Sequence, residues 1–78
     1  MKMTMKIVLK SIDDVKVFVS EVSKVSFDVD LSSGRYVVDA KSILGIFSLD
    51  LSNTLILEMD HPAEREVNLL KKYMVNEF

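Results

Sequence analysis

Few side chains in this sequence are of the types that carry out chemistry. The chain has one histidine, His61, and no cysteine, which excludes a thiol nucleophile and a Cys-based zinc site. His61 follows Asp60 and precedes Glu64 by three residues, and an imidazole with carboxylates can ligate a metal ion. The spacing matches no metal-binding motif, and acids near a helix start are favoured by the helix dipole. We therefore predict no metal site and no cofactor.

Two pairs of carboxylates are close enough in sequence to suggest acid–base chemistry. Asp13 and Asp14 are adjacent in the first turn of a predicted helix, where neighbouring side chains point in different directions and acids serve as caps. Asp28 and Asp30 share one face of a predicted strand, which we interpret as a solvated face. Since Ser42 has no general base beside it, the sequence predicts no catalytic residue and a protein that is not an enzyme.

Ser42 is the hydroxyl residue that we consider the best candidate for a functional site. It lies in the segment DAKSILGIFSLDLS at residues 39–52. A serine directly before an apolar run predicts the N-cap of a helix of about two turns, and a helix start also favours a phosphate. The apolar residues that share one face of this helix are Ile43, Ile46 and Phe47. Leu44 lies on another side, and so short a helix cannot bury all four. We predict that Leu44 or Phe47 stays exposed in a partner-binding surface; ordinary capping and core packing is the alternative.

Length and composition narrow the class of protein. A chain of 78 residues is a single domain, 1–78, and at 49% hydrophobic residues it can build a packed core. A net charge of −2 with scattered basic residues argues against nucleic-acid binding, and no apolar run is long enough to cross a bilayer. The first residues contain no signal-peptide pattern, and a cysteine-free chain suits a reducing compartment. The sequence predicts a cytoplasmic protein and leaves its oligomeric state open.

The periodicity of apolar residues predicts alternating strands and helices. Strands are expected at residues 3–9, 25–31, 35–40 and 53–59. A turn containing Gly34 joins the second strand to the third. Helices are expected at 12–24, after Ser42, and from Pro62 at a first helical position onward. The first helix is capped by Ser11 and carries an apolar stripe at positions 12, 15, 19 and 22, and the last carries Val67, Leu70 and Met74.

This order, β-α-β-β-α-β-α, predicts an α+β sandwich of two layers with the helices on one face of a four-stranded sheet. An alternative is a ferredoxin-like or ACT-type domain that holds a small ligand. That fold needs a full crossover helix between the third and fourth strands. Residues 40–53 barely provide one, so the first fold is favoured.

The segment SKVSFDVDL, a glycine turn, a short strand and AKSILGIFSLDL together resemble HPr, the histidine phosphocarrier of the sugar phosphotransferase system. The resemblance implies an open-faced sandwich with an antiparallel sheet in the order 1-4-2-3. It also implies that Ser42 is a regulatory phosphorylation site. The residues that correspond to the family's partner-docking surface are Ile43, Leu44 and Phe47. The partners implied are proteins of the phosphotransferase system or of carbon regulation.

The sequence departs from the family at the phosphoryl-carrying loop. HPr carries its phosphoryl group on a histidine in a loop that also contains Arg and Pro, whereas residues 9–15 read LKSIDDV. An arginine there would neutralise the phosphoryl group, but Asp13 and Asp14 add negative charge. We therefore expect a regulatory or protein-interaction module that does not work as a phosphocarrier. The alternative function is that of an unrelated small ligand-binding α+β domain.

Overall fold

A computed structural model describes residues 2–73 of the chain. The elements in chain order are β1 (Lys2–Ile7), α1 (Ile12–Val22), β2 (Val29–Ser33), β3 (Tyr36–Asp39), α2 (Ile43–Phe47), β4 (Leu55–Asp60), α3 (Glu64–Leu70) and a 3₁₀ turn (Lys71–Tyr73). The four strands form one antiparallel sheet in the order β1-β4-β2-β3. This confirms the predicted order and contradicts the ferredoxin-like alternative, whose order is 4-1-3-2. Within the described residues no helix is long and apolar enough to span a membrane.

Alternation along the strands gives the sheet one buried face and one exposed face. Ile7, Leu31 and Leu57 are fully buried, and they belong to the same core cluster as the buried residues of all three helices. The helices therefore cover a single face, as predicted. On the other face Asp28 and Asp30 are exposed, which confirms that they form a solvated face.

Helix α1 starts as the sequence predicts but ends earlier. The Asp14 N–H donates to the Ser11 side-chain oxygen at 3.1 Å, and the Lys10 N–H donates to the Asp14 carboxylate at 3.0 Å. The helix ends at Val22 and not at residue 24. The predicted apolar stripe is wrong at its first position, because Ile12 is 64% exposed. The buried stripe instead consists of Val15, Phe18 and Val22.

The second strand begins four residues later than predicted, at Val29. Val25 is buried, but its backbone does not join the sheet. Its N–H donates to the Val22 carbonyl at 3.2 Å, and its carbonyl accepts from the Lys41 ammonium at 2.9 Å. The backbone groups of Val25 thus form hydrogen bonds with the last turn of α1 and with Lys41, although the segment has the alternating apolar pattern of a strand. The predicted turn is confirmed, with Gly34 at φ 59°.

The remaining strand limits differ by one or two residues. The first strand ends at Ile7, because Val8 donates its N–H to the Tyr73 carbonyl at 2.9 Å. The strand predicted at 35–40 spans residues 36–39, and the one predicted at 53–59 spans 55–60.

The predicted start of the last helix is wrong. Helix α3 begins at Glu64, two residues after Pro62, and Ala63 occupies the N-cap. The Glu66 carboxylate instead accepts the Ala63 N–H at 3.3 Å. Val67 and Leu70 are buried as expected, and Met74 lies outside the described residues.

Two side-chain contacts join the 3₁₀ turn to α1. The Tyr73 ring packs edge-on against Phe18, with 5.2 Å between centroids. The Lys72 ammonium pairs with the Glu21 carboxylate at 2.5 Å. Together with the backbone bond from Val8, these contacts place the 3₁₀ turn beside α1 and next to the end of β1.

Candidate functional site

Ser42 occupies the N-cap of α2, as predicted. Its backbone is extended, at φ −105° and ψ 110°, and its side-chain oxygen accepts the Gly45 N–H at 3.2 Å. Its carbonyl accepts from Ile46 at 3.0 Å, and its own N–H donates to the Asp39 carbonyl at 3.0 Å. Ser42 is thus held between the end of β3 and the start of the helix, with its side chain half-buried.

A glycine in the middle of so short a helix has a packing reason. A Cβ atom at Gly45 would lie 3.3 Å from the Ser42 side-chain oxygen and 3.3 Å from the Val38 Cβ. These distances are tighter than ordinary van der Waals contact. The missing side chain therefore lets α2 lie close against β3 while Ser42 keeps its capping bond.

Helix α2 divides its apolar side chains between the core and the solvent. Ile46 is fully buried, and Ile43 packs partly buried against the core. Leu44 is 79% exposed and Phe47 is 41% exposed. The structure therefore leaves two of the three candidate docking residues, Leu44 and Phe47, on the surface and packs the third, Ile43, against the core. This is the outcome expected from a five-residue helix with apolar residues on more than one side.

The exposed residue that our sequence interpretation missed is Ile12. It lies across from Phe47 at a cleft of about 410 Å³ between the start of α1 and the end of α2. The lining residues are Leu9, Lys10, Ser11, Ile12, Phe47, Leu51 and Ser52. The capping Ser11 could have predicted this exposure, because it makes Ile12 the first residue of α1. Ile12 therefore lies about one turn before the buried stripe begins. Ile12 thus extends the apolar surface of α2 onto α1.

His61 lies far from this cleft. Strand β1 pairs with β4 so that Lys2 faces Asp60 and Ile7 faces Leu55. His61 therefore follows the opposite end of the sheet from the end that leads into α1, roughly 15–20 Å away at the usual rise per residue. Its Nδ1 lies 2.7 Å from the Asp60 carboxylate. Within residues 2–73 no group of three or more His, Asp or Glu side chains is arranged to hold a metal ion.

Two side chains of the 3₁₀ turn that contact α1, Lys72 and Tyr73, have a pKa raised above the ordinary value. Burial raises the pKa of Tyr73, and the nearby Glu21 carboxylate raises it further. The hydrogen bond to Glu21 raises the pKa of Lys72. Since Tyr73 is buried and packs on Phe18, we interpret its raised pKa as a consequence of packing.

Comparison of this fold with solved structures finds phosphocarriers. One neighbour is HPr-C-His from Thermoanaerobacter tengcongensis, with a TM-score of 0.69 and 25% identity over 92% of this chain and 88% of that chain. Another is phosphocarrier protein HPr from Bacillus anthracis strain Ames, with a TM-score of 0.71 and 21% identity over 96% of both chains. No family model and no curated protein matches the chain.

Proposed function

We propose that this chain, which we place in the HPr phosphocarrier family on its fold and structural neighbours, is a protein-docking module and not a working phosphocarrier. The observation that carries the proposal is the exposure of Leu44 and Phe47 directly after the helix-capping Ser42. Exposed apolar side chains that lie next to one another in a contiguous patch are typical of partner sites. The partners we propose are cytoplasmic proteins of the phosphotransferase system or of carbon regulation.

The start of α1 supports the absence of phosphoryl transfer. The residues around it are Lys10, Ser11, Ile12, Asp13 and Asp14, none of which is a histidine or an arginine. The two carboxylates there oppose the approach of a phosphoryl group. The only histidine of the chain follows the other end of the sheet, so it does not substitute for a phosphoacceptor at α1.

We propose that Ser42 is the regulatory group of this surface. A protein kinase would transfer the γ-phosphoryl group of a nucleoside triphosphate to the Ser42 oxygen, releasing the hydroxyl proton and a nucleoside diphosphate. The phosphate would add roughly −1.5 to −2 charges at the start of α2, two residues before the exposed Leu44. A negative charge is favoured at a helix start, so the helix would keep its fold while the rim of the docking surface gains negative charge.

A matched pair of variants tests the docking proposal. Leu44→Ser removes an apolar side chain that is 79% exposed, and Val37→Ser removes one that is 64% exposed on β3, on the uncovered face of the sheet. Each chain is used to capture proteins from an extract of the source cell. We expect the wild-type chain and the Val37→Ser variant to capture the same proteins. The Leu44→Ser variant should no longer capture them. Addition of the isolated partner should then shift the NMR signals of α2. If both variants retain the same proteins, α2 is not the docking surface.

The regulatory part has its own test. The chain is incubated with cell extract and a labelled nucleoside triphosphate, with Ser48→Ala as the control and Ser42→Ala as the test variant. We expect acid-stable label on the wild-type chain and the control, and none on Ser42→Ala. Equal labelling of all three chains would exclude Ser42 as the modified residue.

A further inference from the structure

The two edges of the sheet differ in how they are protected against the addition of another strand. The edges are β1 and β3, since the strand order is β1-β4-β2-β3. Lysine side chains on an edge strand discourage further pairing, and β1 carries two of them, Lys2 and Lys6. Strand β3 carries no lysine, and its Tyr36 and Val37 are 71% and 64% exposed. The β3 edge is therefore the less protected of the two.

The backbone groups of β3 that point away from the sheet belong to alternate residues. The Ala40 N–H donates to the Val29 carbonyl of β2 at 2.9 Å. Hydrogen-bonding groups alternate between the two sides of an antiparallel strand, so Val38 also faces β2, whereas Val37 and Asp39 face outward. Among the described residues β3 pairs with β2 alone. The N–H and the carbonyl of Val37 are therefore available to a strand of another chain.

Charged side chains of opposite sign flank Val37. Arg35 directly precedes β3 and Asp39 ends it, and residues two apart along a strand share a face. Arg35 is exposed and forms no ion pair within residues 2–73. Asp39 lies opposite Asp30 of β2, and like charges directly opposite each other in a sheet repel. The edge thus has an unpaired cation at one end and an excess of negative charge at the other.

We infer that a second copy of this chain adds its own β3 to this edge, antiparallel and related by a two-fold axis at Val37. In that register the two Val37 residues lie opposite each other, and each donates its N–H to the carbonyl of the other. Arg35 then lies opposite Asp39 of the second copy, and the same ion pair recurs on the other side of the axis. A shift of the register by two residues would keep the backbone bonds but lose both ion pairs. The charges therefore select one register.

The interface is small, so the dimer should be weak. A strand of four residues buries less than the roughly 800 Å² per partner of a standard stable complex. Assembly should stop at two copies, because a two-fold contact between identical edges uses the same edge of each copy. Neither Leu44 nor Phe47 takes part in this contact, so the inference is independent of the proposed docking surface.

Cysteine substitution tests the register, because the chain has no cysteine of its own. The Cα atoms of a hydrogen-bonded antiparallel pair lie about 5.5 Å apart, within the roughly 4.4–6.8 Å that a disulfide spans. Val37→Cys should therefore give a disulfide-linked dimer in an oxidised glutathione buffer. Thr4→Cys is the matched control, since Thr4 is exposed in the middle of the other edge strand, and it should give no linked dimer.

Exchange of charges tests the ion pairs. Sedimentation equilibrium of the full chain over about 1 µM to 1 mM measures the dissociation constant of the dimer. Arg35→Asp and Asp39→Arg should each weaken the dimer about tenfold, because each places like charges opposite each other. The double variant exchanges the two charges and should return to within about threefold of the wild-type chain. Lys16→Asp makes the same charge change as Arg35→Asp at an exposed residue of α1 and should have no effect.

Three results would overturn the inference. They are a wild-type chain that stays monomeric at about 1 mM, a dimer linked as readily through Thr4→Cys as through Val37→Cys, and a double variant that binds no more tightly than the single ones. None of these results bears on the capture of proteins by α2. The two proposals can therefore fail separately.

Discussion

Truncation of the α2 side chains one at a time measures how this helix divides its residues between the core and the surface. Ile46 is fully buried, so Ile46→Ala should cost about 3 kcal/mol, within the range for a buried aliphatic side chain replaced by alanine. Leu44 is 79% exposed, so Leu44→Ala should change the free energy of unfolding by less than about 0.5 kcal/mol. Phe47 is 41% exposed, and Phe47→Ala should cost about 2 kcal/mol because it loses only part of a core packing contribution.

The losses predicted for Ile46→Ala and Phe47→Ala are large compared with the total free energy of unfolding. A domain of 78 residues has a free energy of unfolding of roughly 4–12 kcal/mol, so Ile46→Ala should lower the denaturation midpoint clearly. Urea denaturation followed by circular dichroism is the suitable assay, because the chain has no tryptophan. If Leu44→Ala costs as much as Ile46→Ala, Leu44 is packed in the core, and the docking surface loses its main residue.

Three further predictions concern the supports of the site. Ser42→Ala should lower the free energy of unfolding by about 1 kcal/mol, because it removes the side-chain cap of α2. Thermal unfolding measures this loss, and an unchanged melting temperature would contradict the capping hydrogen bond. Lys41→Met should lower the free energy of unfolding, measured by urea denaturation, by about 1.5 kcal/mol, because the Val25 carbonyl loses a charged donor. An unchanged free energy of unfolding would show that this hydrogen bond does not stabilise the fold. In a Tyr36→Phe background the Tyr73 phenol should titrate above its ordinary value of 10.0 by ultraviolet absorbance, since burial raises its pKa. The folded state then binds this proton more tightly than the unfolded state, so that stability is full below pH 10 and falls as the pH rises through the folded pKa; stability that increases there would contradict the sign.

Local patterns predicted the fold because they agree with one another. Alternation marked four strands, a capping serine marked the start of α1, and a second capping serine marked the start of α2. The length of the segment from residue 40 to 53 then favoured the observed sheet over a crossover fold. Each of these signals is set by residues near one another in sequence.

The misplaced boundaries have causes that are distant in sequence. Residues 25–28 alternate like a strand, but Lys41 binds the Val25 carbonyl from sixteen residues away, and the sheet begins at Val29. The backbone contact between Val8 and Tyr73 likewise ends β1 early. Neither contact is visible in a local pattern.

The site was predicted on α2 but not on α1. Leu44 and Phe47 were named because a short helix cannot bury apolar residues on several sides. Ile12 was assigned to the buried stripe because its spacing fits that stripe, although its place as the first helical residue carries it beyond the core. Periodicity gives the face of a helix, whereas exposure also depends on where the neighbouring elements end.

Phosphoryl acceptance is the measurement that tests the central claim most directly. The chain is incubated with the first enzyme of the phosphotransferase system and labelled phosphoenolpyruvate, beside an HPr protein as the positive control. We predict acid-labile label on the HPr control and none on this chain. Acid-labile label on the wild-type chain that disappears in His61→Asn would contradict the claim, since it would show a working phosphocarrier whose acceptor is the histidine at the other end of the sheet.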